Sequence, residues 1–230
     1  MKLLDLFSGA GGAAVGYYWA GFTDITGIDD RPMPRYPFEF VQADALEYLA
    51  EHGHEYDVIH ASPPCQVHSV LSHLARPTHK DLIPDTRRLL LETGKFYIIE
   101  NVPGAPLINP FTLCGTGFGL RTLDGAQLWR HRIFETNFDV LLVPPCNHNH
   151  NGRTIGIFGD KARDTGAEKR HYTKPKTTRG HPKSIKFSLE DAGFAMHINW
   201  MNFKELSQAI PPPYTDYIGR QLLAVLERLP

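Results

Sequence analysis

The sequence is poor in several features that would decide a class at once. It has only three cysteines in 230 residues, Cys65, Cys114 and Cys146. An odd number without paired spacing makes no disulfide framework and fits a reducing compartment. No apolar run approaches the roughly 20 residues needed to cross a bilayer, so no membrane partner is expected. Asp5 interrupts the leader-like stretch at the start, and Gly9-Ala-Gly-Gly12 follows at once, which argues against a signal peptide and for a cytoplasmic location. No internal repeat is present. Net charge is also nearly absent, with 24 Lys and Arg against 25 Asp and Glu. That balance hides an asymmetry. Residues 151–187 hold ten basic and three acidic residues, a local +7, which leaves −8 on the rest. A basic segment on an acidic body suits a polyanion met by one part of the molecule.

What is present reads as an α/β protein. The length suits one domain with a smaller appendage. Lys2 to Phe7 is a buried strand, followed by the glycine-rich turn Ser8-Gly9-Ala10-Gly11-Gly12 and a helix from Ala13 to Ala20. Thr23 to Ile28 is a second strand ending in Asp29-Asp30, and Phe38 to Gln42 a third, followed by Asp44 and a helix from Ala45 to His52. Asp57 to Ala61 is a fourth strand, stopped by Ser62-Pro63-Pro64 because proline lacks a ladder donor. A short helix is expected over Thr86 to Thr93 and a fifth strand over Lys95 to Ile99, ending in Glu100-Asn101. Leu128 to Phe134 alternates apolar with basic residues, which in one strand places Arg130 and Arg132 on one face. Residues 151–184 suggest an irregular or β-hairpin insert. A helix begins near Ser188, and the last runs from Tyr214 to Leu229.

Chemistry gathers at strand ends. Glycines at 9 and 11 let backbone approach a ligand, and the helix behind them offers free N–H groups. Asp29 or Asp30, about 20 residues on, can accept ribose hydroxyls. Asp44 can take an adenine amino group, cap its helix, or do both. Cys65, the first residue past the proline stop, is a candidate nucleophile. Glu100 stands beside it if the fourth and fifth strands are parallel neighbours. Arg130 and Arg132 suit phosphate or base contacts. The polar stretch 67–84 reads as a mobile loop, and its His68, His73 and His79 lack tight ligand spacing. Cys114 reads as an inert core or strand residue. Cys146, His148 and His150 crowd within five residues, a poor start for a tetrahedron, so no metal is assigned.

Asp5-Leu-Phe7-Ser-Gly-Ala-Gly-Gly12, Pro63-Pro64-Cys65-Gln66, Glu100-Asn101-Val102, Arg130-His-Arg132 and Ala209-Ile210-Pro-Pro together resemble the DNA (cytosine-5)-methyltransferase family, in that family's order, and small phage or prophage members in particular. The resemblance implies a Rossmann-like, mostly parallel sheet with one antiparallel strand, and S-adenosylmethionine as methyl donor. It implies Cys65, Glu100, Arg130 and Arg132 as the catalytic group. Phe7, Ser8, Gly9, Gly11, Asp29, Asp30, Asp44, Ala45, Pro64, Ala209 and Ile210 would line the cofactor. It also implies a catalytic domain over residues 1–135, a short basic target-recognition region over 136–187, and a C-terminal segment, 188–230, packed back on the catalytic domain. The expected substrate is a cytosine flipped from double-stranded DNA. A monomer is expected, either with a restriction endonuclease partner or as an orphan phage enzyme. Two other readings remain at this level: amino-methylation of adenine or cytosine, since Ser62-Pro-Pro resembles the motif of those enzymes, and a catalytically silent DNA-binding relative.

Overall fold

Alternation along the strands sets the architecture. In a computed structural model, which describes residues 1–64, 81–157, 183–184 and 187–227, five parallel strands run β3-β2-β1-β4-β5. They are β1 (Lys2–Leu6), β2 (Asp24–Asp29), β3 (Glu39–Gln42), β4 (Val58–Ala61) and β5 (Phe96–Asn101). The antiparallel strand β8 (His131–Thr136) pairs beside β5, and β6 (Phe111–Cys114) closes the seven-stranded sheet. Alternate side chains point to opposite faces. Leu3, Ile25, Val58, Ile98 and Phe134 therefore bury one face under helices α1 (Gly12–Ala20) and α6 (Pro212–Leu226). Leu4, Leu6, Ile28, Ile59 and Ile99 bury the other, with Leu49 of α2 (Ala45–His52) and Leu90 of α3 (Ile83–Thr93). Both faces are covered, which is why the parallel strands read as near-continuous apolar runs. Among the described residues no helix is long and apolar enough to cross a membrane.

A smaller sheet of order β10-β9-β7 stands apart, built from β7 (Gln127–Leu128), β9 (Arg153–Ile155) and β10 (Lys183–Ser184). It corrects two expectations. The strand expected over Leu128 to Phe134 is broken at Trp129-Arg130: Leu128 pairs with Ile155 in the small sheet, whereas His131 pairs with Cys114 in the large one. Also, β9 and β10 are parallel, so they are not the two arms of a hairpin. Cys65, the loop through residue 80 and most of the basic segment lie outside the described residues.

The C-terminal segment meets the glycine turn from behind. Helices α4 (Leu189–Met196) and α5 (Phe203–Gln208) start from capping boxes, Ser188 with Asp191 and Asn202 with Glu205. The Trp200 indole then donates to Ala10 O at 2.8 Å, and the Thr215 hydroxyl to Ala13 O at 2.8 Å. A Cβ at Gly16 would lie 2.1 Å from both Pro212 O and Thr215 Oγ1, so this helix crossing requires glycine.

Candidate active site

The glycine turn follows β1 directly. Phe7 (φ 56°), Gly9 (φ 51°) and Gly11 (φ 83°) all occupy the left-handed region. For a bulky residue such as Phe7 that conformation costs about 1–2 kcal/mol, and such strain collects at ligand sites. Gly9 N–H donates to Asp29 Oδ2 at 3.0 Å, and Arg31 N–H donates to Asp29 Oδ1 at 3.2 Å. Asp29 is buried and Asp30 exposed. Burial raises the Asp29 carboxyl, against the backbone donors and Arg31 that favour its charged form. Asp44 Oδ1 accepts from Leu46 N–H at 2.8 Å and Glu47 N–H at 3.0 Å, so its capping role is realised at the start of α2, where Ala45 is buried. A Cβ on Gly9 would meet nothing within 4 Å, whereas one on Gly12 would lie 2.5 Å from Ile210 O. The turn thus opens on one side and rests on the Ala209-Ile210 segment on the other. Open space over a glycine turn, with carboxylates at the end of β2, fits a nucleoside carrying ribose hydroxyls.

The parallel pairing of β4 and β5 sets the second half of the site. Ala61 is in register with Ile99, which brings Ser62-Pro63-Pro64 beside Glu100-Asn101. The Asn101 side-chain amide donates to Pro63 O at 3.0 Å, tying the proline stop to β5. Pro63 is buried and Pro64 exposed, and Cys65 follows Pro64 in the chain. The fifth strand runs past Ile99 to Asn101 because β8 pairs with Glu100 and Asn101. Glu100 is thereby held inside the sheet, only 6% exposed. Phe134 stands opposite it, and Arg132, two residues along β8, reaches it diagonally. Arg132 Nε lies 2.8 Å from Glu100 Oε1 in an ion pair that is not aligned as a hydrogen bond, so this buried oxygen keeps acceptor capacity. Burial raises the Glu100 carboxyl above its usual range, opposed by Arg132, Arg130 and a hydrogen bond from Ser62.

A polar row that the sequence did not single out lies under α1. Tyr17 OH is 2.9 Å from His60 Nδ1, and His60 Nε2 is 2.9 Å from Ser62 Oγ. Ser62 also bonds the Glu100 carboxylate, so its hydroxyl proton goes there and its oxygen accepts from His60 Nε2–H. Nδ1 then accepts from Tyr17, and His60 is the neutral Nε2–H tautomer. Its complete burial pushes its pKa down to about 3. The one signal in the sequence was a histidine inside the apolar run Val58-Ile59-His60-Ala61.

Arg130 and Arg132 do different work. Arg130 is buried, precedes β8, and donates to the carbonyls of Ile157, Ser207 (2.9 Å) and Ala209 (2.7 Å). This corrects the expectation that the two arginines share one strand face. Arg130 is a strut between the small sheet, the segment before Ile210 and β8, and it reaches Glu100 through its field. Gln127, one residue before Leu128, pins the 147–149 loop: its amide donates to Asn147 O at 3.1 Å and its oxygen accepts from Asn149 N–H at 2.9 Å.

Residues 1–108 match the pattern of C-5 cytosine-specific DNA methylases. The type II methyltransferase M.FnuDI of Fusobacterium nucleatum is 34% identical to this chain over 161 residues, covering 60% of this chain and 47% of that protein. M.XorII of Xanthomonas oryzae is 29% identical over 118 residues, 44% of this chain and 28% of that one. The chain thus spans less than half the length of these relatives. In structure, a candidate DNA modification methyltransferase encoded within an E. coli prophage superposes with a TM-score of 0.66 at 15% identity, over 99% of this chain and 100% of that one. The Entamoeba histolytica methyltransferase EhMeth superposes at 0.62 and 12% identity, over 98% of each chain. The mostly parallel sheet with its antiparallel β8 is the fold of these methyltransferases. Glu100 falls inside the methylase-matched residues, whereas Arg130, Arg132, Ala209 and Ile210 lie beyond them.

Proposed function

We propose that this protein methylates C5 of cytosine in double-stranded DNA. The carrying observation is Glu100: a buried carboxyl with raised proton affinity and open acceptor capacity, at the strand end beside Pro63-Pro64, which Cys65 follows in sequence, in a chain whose N-terminal half matches the methylases. Cytosine C5 is a weak nucleophile. Addition of a thiolate at C6 makes it enamine-like, and Cys65 supplies the thiol. A carboxyl of raised pKa can donate to N3 while accepting from the exocyclic amine, which stabilises charge as the adduct forms. Arg132 holds that carboxyl in place from β8. The target atoms are hidden in a duplex, so the base must flip out, at a cost of a few kcal/mol.

Bound S-adenosylmethionine supplies an electrophilic methyl group. Phe7, Ser8, Gly9 and Gly11 would shape its pocket, Asp29 and Asp30 would face its ribose, Asp44 and Ala45 the adenine, and Pro64, Ala209 and Ile210 the remaining walls. After transfer the C5 proton leaves to a base or water, and the Cys65 thiolate departs, restoring the thiol. The basic stretch within 151–187 would meet DNA phosphates. The test is incubation with unmethylated duplex and S-adenosylmethionine, followed by nucleoside mass spectrometry. The expected product is 5-methyldeoxycytidine, and a duplex carrying 5-fluorocytosine should be trapped covalently on Cys65. Methylation of an amino group instead, or DNA binding without any methylation, would overturn the proposal.

A further inference from the structure

At the start of β8, next to Arg132, a second set of side chains converges that methyl transfer does not use. Cys114 ends β6, and His131 begins β8 in register with it. The chain that leaves β8 returns at Cys146 and His148. Cys114 Sγ lies 3.2 Å from His148 Nε2, and Cys146 Sγ lies 3.4 Å from His131 Nε2. The four donor atoms all fall within 4.8 Å of one another. A tetrahedron with Zn–S of about 2.3 Å and Zn–N of about 2.0–2.1 Å has edges of roughly 3.3–3.8 Å. Of the two short S···N distances, 3.4 Å falls in that range and 3.2 Å lies just under it.

We propose that Cys114, His131, Cys146 and His148 form a closed structural Zn²⁺ site that fastens the 139–149 loop to the β6–β8 edge of the sheet.

The donor chemistry favours zinc, since two thiolates and two imidazoles in a tetrahedron suit that ion, and four protein ligands leave no open position for catalysis. The surroundings hold the ligands in place. Thr116 Oγ1 accepts from Asn147 N–H at 3.0 Å, which leaves its own proton for Cys114 Sγ, 3.2 Å away. The Trp129 ring stacks on His148 with centroids 4.1 Å apart and an interplanar angle of 17°. Such contacts orient ligands and raise their affinity for metal. Cys114 is the buried strand residue the sequence suggested, but on this proposal it is not inert, because its sulfur faces two histidines. The donor set differs from the crowded triple of Cys146, His148 and His150: strand pairing brings in Cys114 and His131, and the set omits His150. The loop so fastened leads to β9 and the basic segment, so the metal would fix where that segment leaves the body. The proposal does not depend on the methyl-transfer reading.

The test is metal analysis of the full chain purified without chelator from zinc-supplemented cells. About one zinc per chain is expected, and Co²⁺ in its place should give a thiolate-to-metal band with the intense visible bands of tetrahedral cobalt. Cys146→Ser and His148→Ala should lose the metal, while His150→Ala should keep it. Cys146 is exposed, so its serine variant should fold even if Cys114→Ser does not. Folded wild-type protein without zinc and without the cobalt bands would overturn the site, as would full metal retention in Cys146→Ser.

Discussion

His60 gives the sharpest test of the polar row, because its burial makes a prediction about acid stability that can be worked through. In the folded chain its pKa is pushed down to about 3, with desolvation as the cause. Its unfolded value is about 6.5. Between these values the unfolded chain binds a proton that the folded chain refuses. The contribution is therefore fully present above pH 6.5 and is lost as pH falls towards 3. Linkage over that gap gives a loss of about 2 kcal/mol between pH 7.5 and pH 5, and about 3 kcal/mol by pH 4. Buried carboxyls such as Asp5 and Glu100 have raised pKa values and act in the opposite direction, so wild type alone is ambiguous. His60→Gln resolves this. Glutamine stays neutral and keeps one donor and one acceptor for Ser62 and Tyr17, while every other group titrates as before. Urea unfolding of both proteins at pH 7.5 and pH 5 should show their stability gap narrowing by about 2 kcal/mol. Parallel loss in the two proteins would refute a neutral His60 and, with it, the assigned direction of the hydrogen bonds from Tyr17 to Glu100.

Other outcomes follow from the same structure. Cys65→Ala should abolish both methylation and trapping by 5-fluorocytosine while equilibrium binding of S-adenosylmethionine persists. Glu100→Gln should lower the single-turnover methylation rate by roughly 10²–10⁴, the usual contribution of a positioned acid, with cofactor affinity unchanged. Arg130→Lys cannot span the three carbonyls that the planar guanidinium serves, and each one left bare costs about 1–3 kcal/mol, so thermal stability and cofactor affinity should fall together. Gly16→Ala places a Cβ 2.1 Å from Pro212 O and Thr215 Oγ1 and should destabilise the fold by about 1–3 kcal/mol in urea unfolding.

The elements that position the glycine turn and Glu100 were legible because they are local. Each parallel strand is a short apolar run closed by Gly, Pro or Asp, and Asp44 marked the start of α2 at the residue where it begins. The helix α3 starts earlier than expected, also for local reasons. Asp81 accepts from Ile83 N–H at 3.0 Å and Pro84 sits in the first turn, which starts the helix three residues before Thr86. What the sequence could not display was partnership over distance. Alternation from Leu128 to Phe134 looks like one strand, yet Leu128 answers to Ile155 and Arg132 to Leu113. Between them Arg130 turns inward to carbonyls as far away as Ala209. The four-donor cluster was hidden for the same reason, since the residue opposite His131 is set by strand register and not by spacing.

That distance also explains why the two halves of the site stand or fall together. The glycine turn cannot hold its shape alone. Asp29 draws in Gly9 from the front, while Trp200 and Thr215 hold Ala10 and Ala13 from behind. The segment behind Gly12 is fixed in turn by Arg130, whose backbone leads straight into β8 and so to Arg132 and Glu100. A displacement of Ala209-Ile210 by the cofactor would therefore be felt by Arg130 and, two residues on, by the arginine that sets the Glu100 carboxyl. If the methyl donor rests against Ala209-Ile210 as proposed, coupling between its binding and the state of Glu100 would need no further element: one buried guanidinium bonds the Ala209 carbonyl and adjoins the strand that holds the acid.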